Sequence, residues 1–344
     1  MSCIFFPVNG VIMSKNTKKK EKNIISYIPW IIGGIILLLI VIAVIRIAIW
    51  NKGTDIGDES GDTPDLATET QDYLFFRNPS LIEGNNYDGE FDVVLLGNDS
   101  YLYNEDGESI AEMLQKNVNG TVYNCALKDS RLCSVNDHWD DTNPENNNPM
   151  DAFDFFWLSE SIQYQDYSRQ WNELDRLPEN IDRQHYEEVL KRLESIDFQK
   201  VDLLLVCYDG HDYLEGYPGA IGGQKYTILS MAGTMGAVYE KYGPNYPNMQ
   251  LMFVAPTFCY QVQDDGTKIG ADLPNEYGFS LPDSVEFVLG MSMDYSVSYL
   301  DNYFGVNINS ETAGEYLLED GITPNYEGRR LIADRITKYI NERL

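Results

Sequence analysis

The chain has 344 residues, 43% of them hydrophobic, and a formal net charge of −29. That length supports one large domain or two small ones with a sizeable core. The charge excludes nucleic acid and anionic headgroups as partners of the acidic part, and the simplest role for it is keeping that part soluble.

The charge is not evenly spread. Residues 1–50 carry Lys15, Lys18, Lys19, Lys20, Lys22 and Arg46 against Glu21, a net of +5, which leaves −34 on the remainder. Met13 opens a second plausible start, and no function is assigned to residues 1–12. Ile28–Trp50 reads IPWIIGGIILLLIVIAVIRIAIW, uncharged from Ile28 to Ile45. Its length matches a bilayer-spanning helix of roughly 20 residues, with Arg46 able to snorkel and Trp30 and Trp50 near the interfaces. It is too long for a secretory signal, and no small-x-small cleavage site follows. The lysines ahead of it place segment 1–27 in the cytoplasm and the rest outside the cell. Segment 51–71 lacks aromatics and is rich in Asp, Glu, Gly and Thr, a flexible tether with an r.m.s. reach of about 25 Å. The globular domain is expected over 72–344.

Within it, Phe91–Leu96 is a short apolar run ending at Gly97, a buried strand. Glu108–Lys116 has helical spacing, Thr121–Leu127 is a second strand, and Asn136–Pro149 is a polar loop. Asp151–Gln163 and Gln184–Ser195 read as helices and Val201–Tyr208 as a third strand. Ile221–Tyr242 is a helix, Met249–Phe258 a fourth strand and Ser284–Tyr303 a helix. The final helix, Tyr326–Arg343, sets Ile332, Ile336, Ile340 and Leu344 on one face with Tyr339. Uniformly apolar strands alternating with helices predict an α/β fold, a parallel sheet covered on both faces in three α/β/α layers. Ligands of such sheets sit at the carboxyl ends of the strands.

Of the five cysteines, Cys125 and Cys207 fall in apolar strand runs and are expected as buried thiols, although Cys125 and Cys133 could pair outside the cell. No Cys/His spacing suits zinc, and no cofactor is implied. Asp137–Asp154 offers many oxygen atoms but lacks calcium-loop spacing. His138 and His185 read as surface residues.

The strand ends, over roughly residues 90–344, resemble the SGNH (GDSL-type) hydrolase family, a flavodoxin-like α/β/α fold. The most specific stretch is EDGITPNYEGRRL, where Asp320, Gly321, Pro324, Asn325 and Gly328 match the family's Asp-Gly-x-His-Pro-Asn block and its following Gly. Thr323 stands where that block has its histidine, and threonine cannot serve as a base as imidazole does. After the third strand, YDGHDYLEG resembles the family's Tyr-Gly-Thr-Asn-Asp-Tyr, with Asp209 for Gly, His211 for Asn, and Asp212 retained. The second strand leads to Lys128-Asp129 where the family has a Gly whose N–H lines the oxyanion hole. At the first strand, LLGNDSYLY allows two alignments. Without a gap, Gly97-Asn98-Asp99 overlies Gly-Asp-Ser and Asp99 takes the nucleophile's place. With a one-residue insertion, Ser100 is the nucleophile. The ungapped reading keeps strand and helix in register and is preferred.

Acyl transfer needs an activated nucleophile, a base and preorganised donors. The positions that serve the fold match while those that serve this chemistry differ. With Ile28–Trp50 as its anchor, the chain is therefore expected to be a membrane-tethered pseudoenzyme that binds a cell-surface glycan or envelope protein. One alternative is an active O-acyl esterase or acyltransferase on surface polysaccharide, using Ser100 with His211. Another is a cation-binding module formed by Asp99, Asp209, Asp212 and Asp320.

Overall fold

The computed structural model describes residues 70–75, 89–246, 249–275 and 277–343. Segment 1–27, the apolar run Ile28–Trp50 and nearly all of the tether lie outside these residues. Among the described residues no helix is long and apolar enough to cross a membrane.

Five parallel strands form the central sheet: β1 (Asp92–Gly97), β2 (Val122–Asn124), β3 (Val201–Cys207), β4 (Gln250–Val254) and, after a small antiparallel hairpin of β5 (Tyr260–Val262) and β6 (Lys268–Gly270), β7 (Ser298–Leu300). Their order is β2-β1-β3-β4-β7. Every residue from Val93 to Leu96 and from Leu203 to Cys207 is buried, which is why both runs are continuous in apolar character rather than alternating.

The principal helices are α1 (Asp99–Leu102), α2 (Ile110–Gln115), α3 (Phe155–Tyr164), α4 (Arg183–Ser195), α5 (His211–Leu214), α6 (Met231–Asn245), α7 (Leu281–Tyr295) and α8 (Tyr326–Arg343). α2 starts at a capping box in which Ser109 and Glu112 exchange side-chain and backbone bonds, and Ser280 and Asp283 start α7 the same way. α8 packs on α2 and buries Ile332, Ile336 and Ile340. On α8, Arg329 is fully buried. Its Nη1 donates to Pro324 O at 2.8 Å, its Nε to Glu108 O at 2.9 Å, and its Nη2 pairs with Asp106. α6 packs on both α3 and α7. Helices on both faces make the three layers.

Both sheet edges are covered. At β2, Gln115 Oε1 accepts the Val122 N–H at 2.8 Å and Arg192 donates to Asn124 O, so side chains take the outward backbone groups. At β7 residues 71–75 do this. Tyr73 and Tyr299 exchange antiparallel backbone bonds of 3.0 and 2.6 Å, with Gln71 bonded to Asp301 and Phe75 to Ser298. The Asp72 carboxylate accepts from Arg335 Nη2 at 2.7 and 2.8 Å, from the Asp301 N–H at 2.9 Å and from Tyr339. The chain therefore reaches the sheet at the carboxyl end of β7.

Three sequence expectations are corrected. The helix read over Ile221–Tyr242 begins only at Met231, because Gly222 and Gly223 turn the chain ahead of it. The helix read over Ser284–Tyr303 ends at Tyr295, where Ser296 caps it at φ +54°, and the fifth strand follows. Asp151 belongs to a 3-10 turn, Pro149–Phe153, rather than to the helix that Asp154 caps. Cys125, Cys133, Cys207 and Cys259 are free and buried, so no Cys125–Cys133 bond forms. Burial pushes the Cys125 thiol up to about 12, which leaves it inert.

Candidate functional site

β1 and β3 are neighbours, so their carboxyl ends deliver two segments side by side: Asn98-Asp99-Ser100 and Asp209-Gly210-His211. The close approach needs Gly97, and Gly210 is crowded on its other side. A Cβ on the first would collide with the Cys207 carbonyl and on the second with the Cys259 sulfur.

Asp209 is the hub. Its Oδ2 accepts the Ser100 hydroxyl at 2.6 Å and the Ser100 N–H at 3.3 Å. Its Oδ1 accepts Asn98 Nδ2 at 2.8 Å, the His211 N–H at 3.1 Å and His211 Nδ1 at 2.6 Å. Asn98 returns the bond, its Oδ1 accepting the Asp209 N–H at 3.0 Å. Burial opposes charge on Asp209, but the His211 charge and the converging donors outweigh it and hold the carboxyl down to about 2. For His211 burial acts downward, and the Asp209 carboxylate overrides it and lifts the ring to about 10. At neutral pH this is an ion pair. Its imidazolium keeps Nδ1 on Asp209.

Asp99, the first residue of α1, occupies a different position. Its Oδ2 accepts the Asp129 N–H at 2.7 Å. Asp129 holds φ at +58°, a conformation that favours glycine. Burial raises the Asp99 carboxyl, as does nearby Asp209, while the Asp129 N–H and His211 draw it down less.

The remaining sequence candidates are not brought into this group. Asp212, on α5, faces away, accepting the N–H groups of Leu132 at 3.0 Å and Cys133 at 2.7 Å. Asp320 is exposed, and its Oδ1 closes its own turn on the N–H groups of Ile322 and Thr323, both at 2.9 Å. Thr323 is buried, with its carbonyl accepting the Leu318 N–H. The four-carboxylate convergence on one cleft is thus corrected to two, Asp99 and Asp209. Among the described residues no group of three or more His, Cys, Asp or Glu side chains could hold a metal ion. His138 pairs with Asp137 at the surface, whereas His185 Nε2 is bonded to Ala126 O at 3.0 Å. In the Asn136–Pro149 loop the Asp140 carboxylate is taken up by Thr142, Asn143 and Asn146.

Sequence reasoning missed the centrality of Asn98 and Asp209. The Asn-Asp-Ser and Asp-Gly-His tripeptides were visible, but nothing in either shows that Asp209 would lie between Ser100 and His211. Two cavities, of about 570 and 560 Å³, lie elsewhere, and neither is lined by Ser100, Asp209 or His211.

No family model matches the sequence, and no curated protein matches it. Solved structures do. One is 17% identical over 74% of this chain and 97% of its own, with a TM-score of 0.50. The lipase/acylhydrolase from Enterococcus faecalis is 13% identical over 74% of this chain and 97% of its own, with a TM-score of 0.41. A possible lipase from Chitinophaga pinensis is 12% identical over 74% and 98%, with a TM-score of 0.44. These likenesses concern the fold. What they support is the architecture: a parallel sheet in the order β2-β1-β3-β4-β7 with helices on both faces.

Proposed function

We propose that this chain is a membrane-anchored protein whose outer domain uses an SGNH hydrolase-like fold to bind rather than to transfer acyl groups. The observation that carries this reading is the Ser100 hydroxyl donating to Asp209. A serine nucleophile must hand its proton to a base. A carboxyl held down to about 2 has little affinity for a proton, and a His211 ring lifted to about 10 already carries one. Asp99 fills the Asp129 N–H, the donor that an oxyanion would need, with its own carboxylate. Thr323 supplies no imidazole where the resembling block has one. The anchor is Ile28–Trp50, with the N-terminus cytoplasmic and the domain at the cell surface. The partner is a surface glycan or envelope protein, met through the hydroxyl, carboxylate and imidazolium groups of the strand ends.

A second reading has one observation in its favour. Asp209 grips His211 Nδ1 at 2.6 Å, as the orienting acid of a Ser-His-Asp set does. An active O-acyl esterase would then use Ser100 and His211. Hydrolysis of an activated acyl ester by the full chain in detergent separates the two. Binding without acyl transfer gives no turnover above buffer, and Thr323→His alone does not create any. Turnover that Ser100→Ala abolishes would sink the binding reading and establish the esterase. Loss only in His211→Ala would point to a different nucleophile and sink both.

A further inference from the structure

Behind the cleft, one short segment is fastened in an unusual way. Ser130–Asn136 continues directly from Asp129 and is held by three carboxylates from outside it. Asp212 accepts the N–H groups of Leu132 and Cys133. Asp151 accepts those of Val135 and Asn136, each at 3.0 Å, and the Asn136 amide at 3.0 Å. Asp154 takes the Ser134 hydroxyl on Oδ2 and the Trp157 N–H on Oδ1 at 3.1 Å. All three acids are at most 2% exposed. Four backbone N–H groups in a five-residue stretch therefore end on buried carboxylates.

The surroundings do not neutralise this charge. Arg131 faces Asp151 and Asp212, but its Nε is already paired with Glu215 at 2.5 Å. Asp154 faces Asp151, Asp212, the Cys133 thiol and the Tyr208 hydroxyl. Asp212 also faces Glu215, Cys133 and Tyr217. Arg131 is the one cation in that set, and three buried carboxylates sharing it cannot all ionise without a large cost. A neutral carboxyl at Asp154 still accepts from Trp157 and shares its proton with Ser134.

We propose that Ser130–Asn136 is a proton-operated latch, closed while one of these carboxyls is protonated and loosened when all three ionise, so that pH sets how firmly the Asp129 N–H is held in the cleft. This is independent of what the cleft binds. The direction follows from burial. Desolvation raises Asp151, raises Asp154 well above the usual range and raises Asp212 to about 6. For an acid raised on folding, stability is complete below its ordinary value of 3.8 and is lost as pH rises through the folded value. The latch is therefore tight in acid and loosens toward neutral and alkaline pH.

Amide hydrogen exchange on the full chain in detergent, corrected for the intrinsic pH dependence of exchange, tests it between pH 5.5 and 8. Protection over 130–136 should fall as pH rises, by up to about tenfold per pH unit as the last of the three protons leaves, while β3 stays protected. Asp154→Asn accepts Trp157 on its amide oxygen and donates its amide N–H to the Ser134 hydroxyl, removes the charge, and should hold protection high and flat. Should that variant fail to fold, Asp151→Asn and the wild-type profile decide. Flat or rising protection over 130–136 in the wild type would overturn the latch. So would an Asp154→Asn profile that still falls like the wild type.

Discussion

Replacing Asp209 by Asn should release His211 from its ion pair, and the size of the effect follows from the geometry. His211 Nδ1 lies 2.6 Å from Asp209 Oδ1 in a largely buried setting, and its ring is lifted from 6.5 to about 10. That shift corresponds to a net preference for the imidazolium of about 5 kcal/mol. The substituted amide retains a hydrogen-bond acceptor but removes the charge, so the ring should titrate lower by about two units or more, with Asp99 keeping part of the effect. The chain has three histidines, so imidazole NMR resonances can be assigned by replacing each in turn. Stability should follow. The Asp209 contribution is present above 3.8 and lost as pH falls through about 2; the His211 contribution is present below 6.5 and lost as pH rises through about 10. The pair therefore stabilises fully between pH 3.8 and 6.5. A wild-type His211 titrating near 6.5, or one unmoved in Asp209→Asn, would refute the ion pair and with it the inert-serine argument.

Arg329→Met should cost roughly 2–4 kcal/mol, because it leaves the carbonyls of Glu108 and Pro324 without their buried donor, while Asp106 is exposed and can turn to water. Thermal unfolding is the measure, with a midpoint drop on the order of 10 °C, and an unchanged midpoint would show that Arg329 is dispensable. Protease added to intact cells should release almost the whole of 72–344 if the N-terminus is cytoplasmic, and full protection would reverse that orientation.

The sheet was legible where burial is two-sided. Phe91–Leu96 and Val201–Tyr208 are apolar at nearly every position because helices cover both faces, and no periodicity was needed to find them. β7 escaped notice because it is three residues long and follows a helix that ends on Ser296 at φ +54°, with no glycine to mark the stop. The β5–β6 hairpin carried an Asp265-Gly266 turn signal, yet its exposed strands showed no apolar run. At the strand ends, residue types were readable but pairings were not. Asp209 read as a replacement for a glycine, and only the adjacency of β1 and β3 turns it into the partner of Asn98, Ser100 and His211. Asp151 and Asp154 sat in what read as one helix, since a carboxylate that accepts backbone N–H groups leaves no periodic trace.

The clasp that joins residues 71–75 to β7 makes this stretch of chain a mechanical element. The two Tyr73–Tyr299 bonds run across the strand direction, and Asp72 adds Arg335, Tyr339 and the Asp301 N–H beside them. A load drawn along β7 strains all of these contacts in shear at once, whereas a load drawn outward from the sheet peels them in turn, beginning at Gln71. The domain should hold firmly against force in the first direction and yield readily in the second, and the first contacts to part lie at the end of the sheet that carries Ser100 and His211.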